Sequence, residues 1–413
     1  MLSAEIIAIG SELLVPGFVD TNSVYLTRQL NDIGISVAMK SIVGDDESYL
    51  EQAVRGSMER TPLLITIGGL GPTEDDVTRK VVARVMQRQL VLDDGILAGI
   101  QKRFKTRGAE MPANNARQAL VPTGSDILEN NNGTAPGLWI HADKNDVVLL
   151  PGPPSELEPM FEDSCMPRLQ KMAGTMALAR RLFRTTGLME SALDARIAPI
   201  YQKYKNPVTT ILAKPGQVEV RLTAQGKTME EAERLVQELG EKIEASLDKY
   251  IFAKTETSLE EVVGMQLAMK HSTIAVAESC TGGMLAQRLT SVPGSSRYFL
   301  SGIVTYSNQS KIDLAGIPPL LLEMQGAVSE EVARGLAESV REKVGSTFGV
   351  GITGVAGPDG GSPEKPVGTV HIAVAGPGGT IHRHQVFPGS RERIRSWSSQ
   401  AALDMVRRVL MES

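Results

Sequence analysis

Thr273-Ile274-Ala275-Val276-Ala277-Glu278-Ser279-Cys280-Thr281-Gly282-Gly283, followed by the helical pattern Met284-Leu285-Ala286-Gln287-Arg288-Leu289, reads as strand, tight turn and helix. A serine in such a turn lies beside the first helix N–H groups, which are unpaired, so an oxyanion formed at its hydroxyl would meet donors already in place. Ser279 is therefore a candidate nucleophile. A plain helix N-cap is the alternative reading, because serine favours that position anyway.

A serine hydroxyl needs a base. His371 and His382 to His384 fall in or beside late strand patterns, with no acid partner near them in sequence. A better base follows the strand Ser301–Tyr306, where Ser307-Asn308-Gln309-Ser310-Lys311 turns into a helix. A lysine near a helix start in a partly desolvated pocket has its ammonium form disfavoured, and the Tyr306 hydroxyl could relay or orient. A solvated lysine and an edge-strand tyrosine are the alternative. Val350-Gly351-Ile352-Thr353-Gly354-Val355-Ala356-Gly357-Pro358 reads as a strand-end loop whose small residues admit a ligand close to the backbone, with Thr353 as hydroxyl donor. Arg391, Arg393 and Arg395 open the last helix, either as a phosphate site or as a solvated basic face.

The whole chain sets the bounds. Its 413 residues exceed one ordinary core, and 42% apolar with 22% charged residues is a globular composition. A net charge of −5 argues against a broad nucleic-acid surface. Cys165 and Cys280, far apart and without histidine at metal spacing, indicate neither a disulfide framework nor a zinc site, which fits a reducing cytoplasm. Neither a targeting signal nor a membrane-spanning run is read.

Toward the N-terminus the pattern repeats: Ala4–Gly10, 35–42 and Leu63–Ile67 read as strands alternating with helices, hence an α/β fold with a parallel sheet and ligands beyond the strands' C-terminal ends. Asn22 or Ser23 is expected to cap the first helix. Gly68-Gly69-Leu70-Gly71-Pro72-Thr73-Glu74-Asp75-Asp76 can form a concave anion site, and Asp75 and Asp76 would tolerate phosphate only across a divalent cation. A structural turn is the alternative. The loops 130–137 and 151–156 join the same rim. Between the two larger parts, residues 169–255 read as a small α+β module. Its strand 218–224 should bury Val218, Val220 and Leu222 and expose Glu219, Arg221 and Thr223. An RNA-clamping GxxG turn with basic flanks is not found there, so a spacer or interface role is favoured.

Gly10-Ser11-Glu12-Leu13, Asp20-Thr21-Asn22-Ser23, the loop from Gly68 to Asp76, Asn132-Gly133-Thr134-Ala135-Pro136-Gly137 and Pro151-Gly152 together resemble the molybdopterin-binding-like domain that opens CinA (competence/damage-inducible protein A) family proteins. The middle module resembles the family's small KH-like domain. Ala277–Gly283, Thr305-Tyr306-Ser307-Asn308 with Lys311, and Gly351-Ile352-Thr353-Gly354 with Ala356-Gly357-Pro358 resemble its C-terminal nicotinamide-nucleotide amidase domain. The resemblance implies domains at 1–168, 169–255 and 256–413.

It further implies hydrolysis of nicotinamide mononucleotide to nicotinate mononucleotide and ammonia, with Ser279 as nucleophile, Lys311 as base and Tyr306 beside it. Thr281, Gly282, Gly283, Thr353 and Gly354 would line the substrate, and Arg391 or Arg395 would take its 5′-phosphate. No cofactor is expected there. For the first domain the resemblance implies metal-dependent ADP-ribose pyrophosphatase activity, with Gly68, Gly69, Gly71, Thr73 and Asn22 around the ligand. Asp75, Asp76 and Glu12 would serve a divalent cation such as magnesium, with or without potassium. A cytoplasmic, bacterial homodimer in pyridine-nucleotide salvage is the expectation, without direct nucleic-acid or membrane partners. The alternative is a competence or repair adaptor working through protein contacts. The pattern departs at Ser390, where family members often carry Asp.

Overall fold

The structure, a computed structural model, describes residues 2–142, 144–174 and 177–412. The chain divides into two compact units, Met1–Leu178 with Gln225–Ala232, and Ala179–Ala224 with Glu233–Ser413.

In the first unit, strands β1 (Ser3–Ile9), β2 (Ser36–Val43) and β3 (Leu63–Ile67) precede a short ribbon of β4 (Leu90–Leu92) and β5 (Leu120–Pro122). Strands β6 (Ser125–Leu128), β7 (Gly137–His141) and β8 (Asp146–Leu150) complete a six-stranded sheet of order β2-β1-β3-β8-β7-β6. The first four in that order run parallel, β7 runs against β8, and β6 runs against β7. Alternate side chains feed opposite cores: Ile6, Ile65 and Val148 pack with Leu26, Leu30 and Leu157, whereas Ile7, Leu64 and Leu149 pack with Leu50, Val54 and Val81. A sheet covered on both faces needs such continuous apolar strands. Because β7 runs antiparallel to β8, the loop before it joins the rim formed by the ends of β1, β3 and β8. The first helix, Asn22–Asp32, is not capped by Asn22 or Ser23; Ser23 lies inside it and donates its N–H to Asp20 Oδ1 at 2.9 Å.

In the second unit, β9 (Ala177–Thr186), β10 (Val208–Lys214), β11 (Gln217–Gly226) and β12 (Ile251–Ala253) form a four-stranded sheet of order β10-β11-β9-β12. The expected solvated face of β11 is corrected at Glu219, which is 0% exposed. Lys214 and Arg221 donate to it at 2.6 and 2.8 Å, and Arg184 lies 3.4 Å away. Burial opposes its charge, but these cations overcome that and hold the carboxyl below the usual glutamate range.

The remaining strands, β13 (Ile274–Glu278), β14 (Phe299–Val304), β15 (Phe348–Gly354), β16 (Thr369–Gly376) and β17 (Gly379–Val386), make a five-stranded sheet of order β14-β13-β15-β16-β17. β14, β13 and β15 are mutually parallel; β16 and β17 are antiparallel. Leu259–Met269, opened by a Ser258–Glu261 capping box, lies with the last helix on one face, where Ile274, Val276 and Ile352 pack. Glu330–Val344 covers the other face, packing Val332 and Leu336 on Ala275 and Ala277. A Cβ on Gly351 would collide with the Ala333 carbonyl, so that glycine admits the helix backbone and not a ligand. Among the described residues no helix is long and apolar enough to cross a membrane.

Glu219→Gln should lower stability by about 2 kcal/mol at neutral pH, because three cations then surround a neutral amide. With a depressed folded pKa, Glu219 stabilises above the unfolded glutamate value and loses that contribution as pH falls through its folded pKa. Urea unfolding of both proteins from pH 7 to 3 should therefore show the difference closing on acidification.

Candidate active site

Ser279 stands one residue beyond β13, whose end lies between the ends of β14 and β15. Its N–H donates to Ile352 O at 2.9 Å, and Thr305 N–H donates to Glu278 O at 2.7 Å, so both neighbouring strands hold the turn. Gly282 and Gly283 take φ of 60° and 92°, left-handed values that let the chain reverse into the helix Met284–Thr290.

The expected free donors at that helix start are not free. Glu278, buried at the end of β13, accepts from the N–H groups of Gly283 (3.1 Å), Leu285 (3.1 Å) and Ala286 (2.8 Å). Among the described residues, the amides of Cys280 and Thr281 make no backbone hydrogen bond. Both lie within hydrogen-bond reach of the Cys280 thiol, beside the serine. Sequence reasoning missed Glu278, although its place in the alternation Ile274, Val276, Glu278 put it on a buried face.

Lys311 comes from the helix Asn308–Ala315, opened by a Ser307–Ser310 capping box. The lysine is 1% exposed and Ser279 7%. Lys311 Nζ lies 3.1 Å from Ser279 Oγ, 2.8 Å from Thr305 O and 3.4 Å from Tyr306 O. Burial pushes its pKa below the ordinary lysine value. Cys280, next to the serine, is also buried, and burial pushes its thiol up to about 12, which leaves no thiolate to compete.

The other expected residues divide. The Tyr306 hydroxyl does not join the pair: its side chain is 58% exposed and accepts from Arg391 Nη2 at 2.6 Å. Arg391 also donates to Gly357 O at 2.8 Å. Arg395 donates to Thr281 O at 3.1 and 2.8 Å, so it braces the turn. Thr281 Oγ1 is buried without a partner among the described residues. Thr353 is buried and donates to Ala327 O at 2.7 Å, and a Cβ on Gly354 would press on Thr369 O. Both serve the framework. His371, His382 and Glu330 do form a linked group, with His371 Nδ1 and His382 Nε2 3.0 Å apart and Glu330 3.1 Å from His382, but none of them bonds to Ser279 or Lys311. A cavity of about 940 Å³ touches Met189, Pro215, Arg393 and Trp397, and neither Ser279 nor Lys311 lines it.

At the N-terminal rim, Gly68 and Gly69 have φ of 94° and 66°, and a Cβ on either would strike Ile9 O or Thr78 Oγ1. Asn22 Nδ2 donates to Gly152 O at 2.6 Å, drawing two segments of the rim together, and its Oδ1 is buried without a partner among the described residues. The expected cation site does not assemble. Asp76 accepts from Gly71 N–H (2.7 Å), Thr73 N–H (2.8 Å) and the Thr73 hydroxyl, so its carboxylate closes its own loop. Asp75 is held below the usual aspartate range by hydrogen bonds, first from Thr73. The Glu12 carboxylate lies against Gly10. Among the described residues no three His, Cys, Asp or Glu side chains are grouped to hold a metal. Arg79, unremarked in the sequence, is buried under the loop and donates to Leu70 O and Gly71 O, with its pKa lowered to about 10 by burial.

Residues 5–171 match the probable molybdopterin binding domain, 180–253 the damage-inducible protein CinA KH domain and 256–410 the CinA C-terminal domain. A CinA-like protein of Koribacter versatilis (strain Ellin345) is 51% identical over 412 residues, 99% of this chain and 100% of that protein. A putative competence-damage inducible protein of Desulforamulus reducens is 43% identical, over 99% of each chain. The crystal structure of competence/damage inducible protein CihA from Agrobacterium tumefaciens covers 38% of this chain and 99% of its own, at 34% identity and a TM-score of 0.36. With relatives of that identity matching end to end, and with all three domains in order, the chain belongs to the CinA family.

Proposed function

We propose that the C-terminal domain is a serine amidase that converts nicotinamide mononucleotide into nicotinate mononucleotide and ammonia. The observation that carries this reading is the buried Lys311 amine, 3.1 Å from Ser279 Oγ, with no carboxylate paired to it among the described residues. A neutral amine has two N–H groups and one lone pair. The N–H groups suit the Thr305 and Tyr306 carbonyls, which leaves the lone pair for the Ser279 proton.

In this reading Ser279 Oγ attacks the carboxamide carbon while Lys311 takes its proton. The oxyanion meets the Cys280 and Thr281 amides, and Lys311 returns the proton to the departing nitrogen, releasing ammonia and leaving an acyl-serine ester. Water then attacks the ester, Lys311 carrying its proton back to Ser279 Oγ as the carboxylate product leaves. The unpartnered Thr281 hydroxyl would bond the substrate. In the family resemblance and the domain matches the reading has its second support.

For the N-terminal domain we propose binding of a diphosphate-bearing nucleotide such as ADP-ribose along the 68–73 loop, with Asn22 Oδ1 accepting from its sugar and Arg79 as buried countercharge. The residues expected to hold a cation do not assemble, so no hydrolytic step is assigned to them.

Ammonia release from nicotinamide mononucleotide should fall by about 10³-fold or more in Ser279→Ala and in Lys311→Ala, each shown folded by circular dichroism. Turnover by folded wild type no faster than by Ser279→Ala would overturn the reading. Because only the neutral amine takes the proton, kcat/KM should rise with pH. The limb's midpoint should lie below 10.5, the ordinary lysine value, in keeping with the lowered pKa.

A further inference from the structure

Arg391 joins the two strand ends that flank the serine. Strand order places β13 between β14 and β15. Tyr306 lies just past β14 and Gly357 just past β15, and the Arg391 guanidinium donates to the Tyr306 hydroxyl at 2.6 Å and to Gly357 O at 2.8 Å. Its side chain therefore crosses over the end of β13, where Ser279 sits. One turn further along the same helix, Arg395 is fastened to Thr281 O within the serine's own turn.

Both Arg391 acceptors are neutral, and among the described residues no carboxylate pairs with it. A phosphate dianion accepts charge-assisted, bidentate bonds from a guanidinium and would outcompete a hydroxyl and a carbonyl. Tyr306 is hinged at the proposed dyad, since its own carbonyl is 3.4 Å from Lys311 Nζ, while Arg391 holds its hydroxyl outward.

We propose that Arg391 is a specificity-determining strap operated by the substrate's phosphate. When the phosphate takes the guanidinium, Tyr306 is released and its hydroxyl swings toward Ser279 and Lys311. An amide that carries the phosphate thus completes the site, and the same amide without it leaves the tyrosine held away. This deepens the nucleotide-amidase reading and rests on it for the substrate, though the strap itself can be tested without turnover.

The first measurement uses the full chain labelled with fluorotyrosine, the Tyr306 signal being identified by its loss in Tyr306→Phe. Ribose 5-phosphate, which has no amide, should shift that signal in wild type. In Arg391→Ala the signal should start displaced and stay there. A Tyr306 signal that is the same in both proteins, and unmoved by ribose 5-phosphate, would overturn the strap whatever the enzyme's substrate.

The second compares nicotinamide mononucleotide with nicotinamide riboside. Arg391→Ala should erase a preference for the mononucleotide on the order of 100-fold, and inorganic phosphate should raise riboside turnover in wild type but not in the variant. Equal losses on both substrates, with no response to phosphate, would make Arg391 a structural residue and overturn the proposal. If folded wild type releases no ammonia from either substrate, the amidase reading falls, and the fluorine titration still decides the strap.

Discussion

A carboxyl group sealed from water must have its hydrogen-bonding capacity met inside the protein, and Glu278 has it met by three main-chain amides at the start of the helix that follows. That arrangement ties the end of β13 to the start of the helix across only a few residues, and the Ser279 turn between them has little freedom left. It also spends the helix's first donors. In the proposed reaction an oxyanion at Ser279 would meet the amides nearer the serine, so one buried acid sets both the shape of the turn and the division of its hydrogen bonds.

Lys311 is the opposite case. It is buried among a hydroxyl and two carbonyls, with no carboxylate paired to it among the described residues, and desolvation lowers its pKa. A carboxyl group bound by three main-chain amides and an amine pushed toward neutrality flank the same strand end. An amine driven in that direction is what proton transfer from a serine needs. The proposed chemistry follows from these surroundings more than from the identity of any single residue.

The N-terminal loop shows how a Gly-rich motif can be read two ways. Its glycines have left-handed φ, as an anion cradle would, yet the space above Gly68 and Gly69 is filled by Ile9 O and Thr78 Oγ1, and Asp76 is turned inward as a loop clasp. The adjacent Asp75 and Asp76 suggested a cation. The hydrogen bonds that Asp76 accepts from the loop's own amides and hydroxyl supply what the cation would have supplied.

Local sequence was enough for the alternation of strands and helices and the placement of Ser279 and Lys311 beside parallel strand ends, because periodicity and turn chemistry act over a few residues. Family resemblance was legible for the same reason, since its motifs are those turns. Tertiary structure alone decided which partner each polar group meets. It buried Glu219 on the face expected to be wet, gave the helix donors to Glu278, turned the Tyr306 hydroxyl to Arg391 and filled the space over Gly351 with a helix. Some of these outcomes depend on chain brought from far away, as Arg391 is to Tyr306 across 85 residues, and others on how the chain closes locally, as the amides five to eight residues past Glu278 fold back onto it. A one-dimensional pattern records which face a residue occupies, but the charge, hydrogen-bond and space balance on that face is settled only when the distant chain arrives.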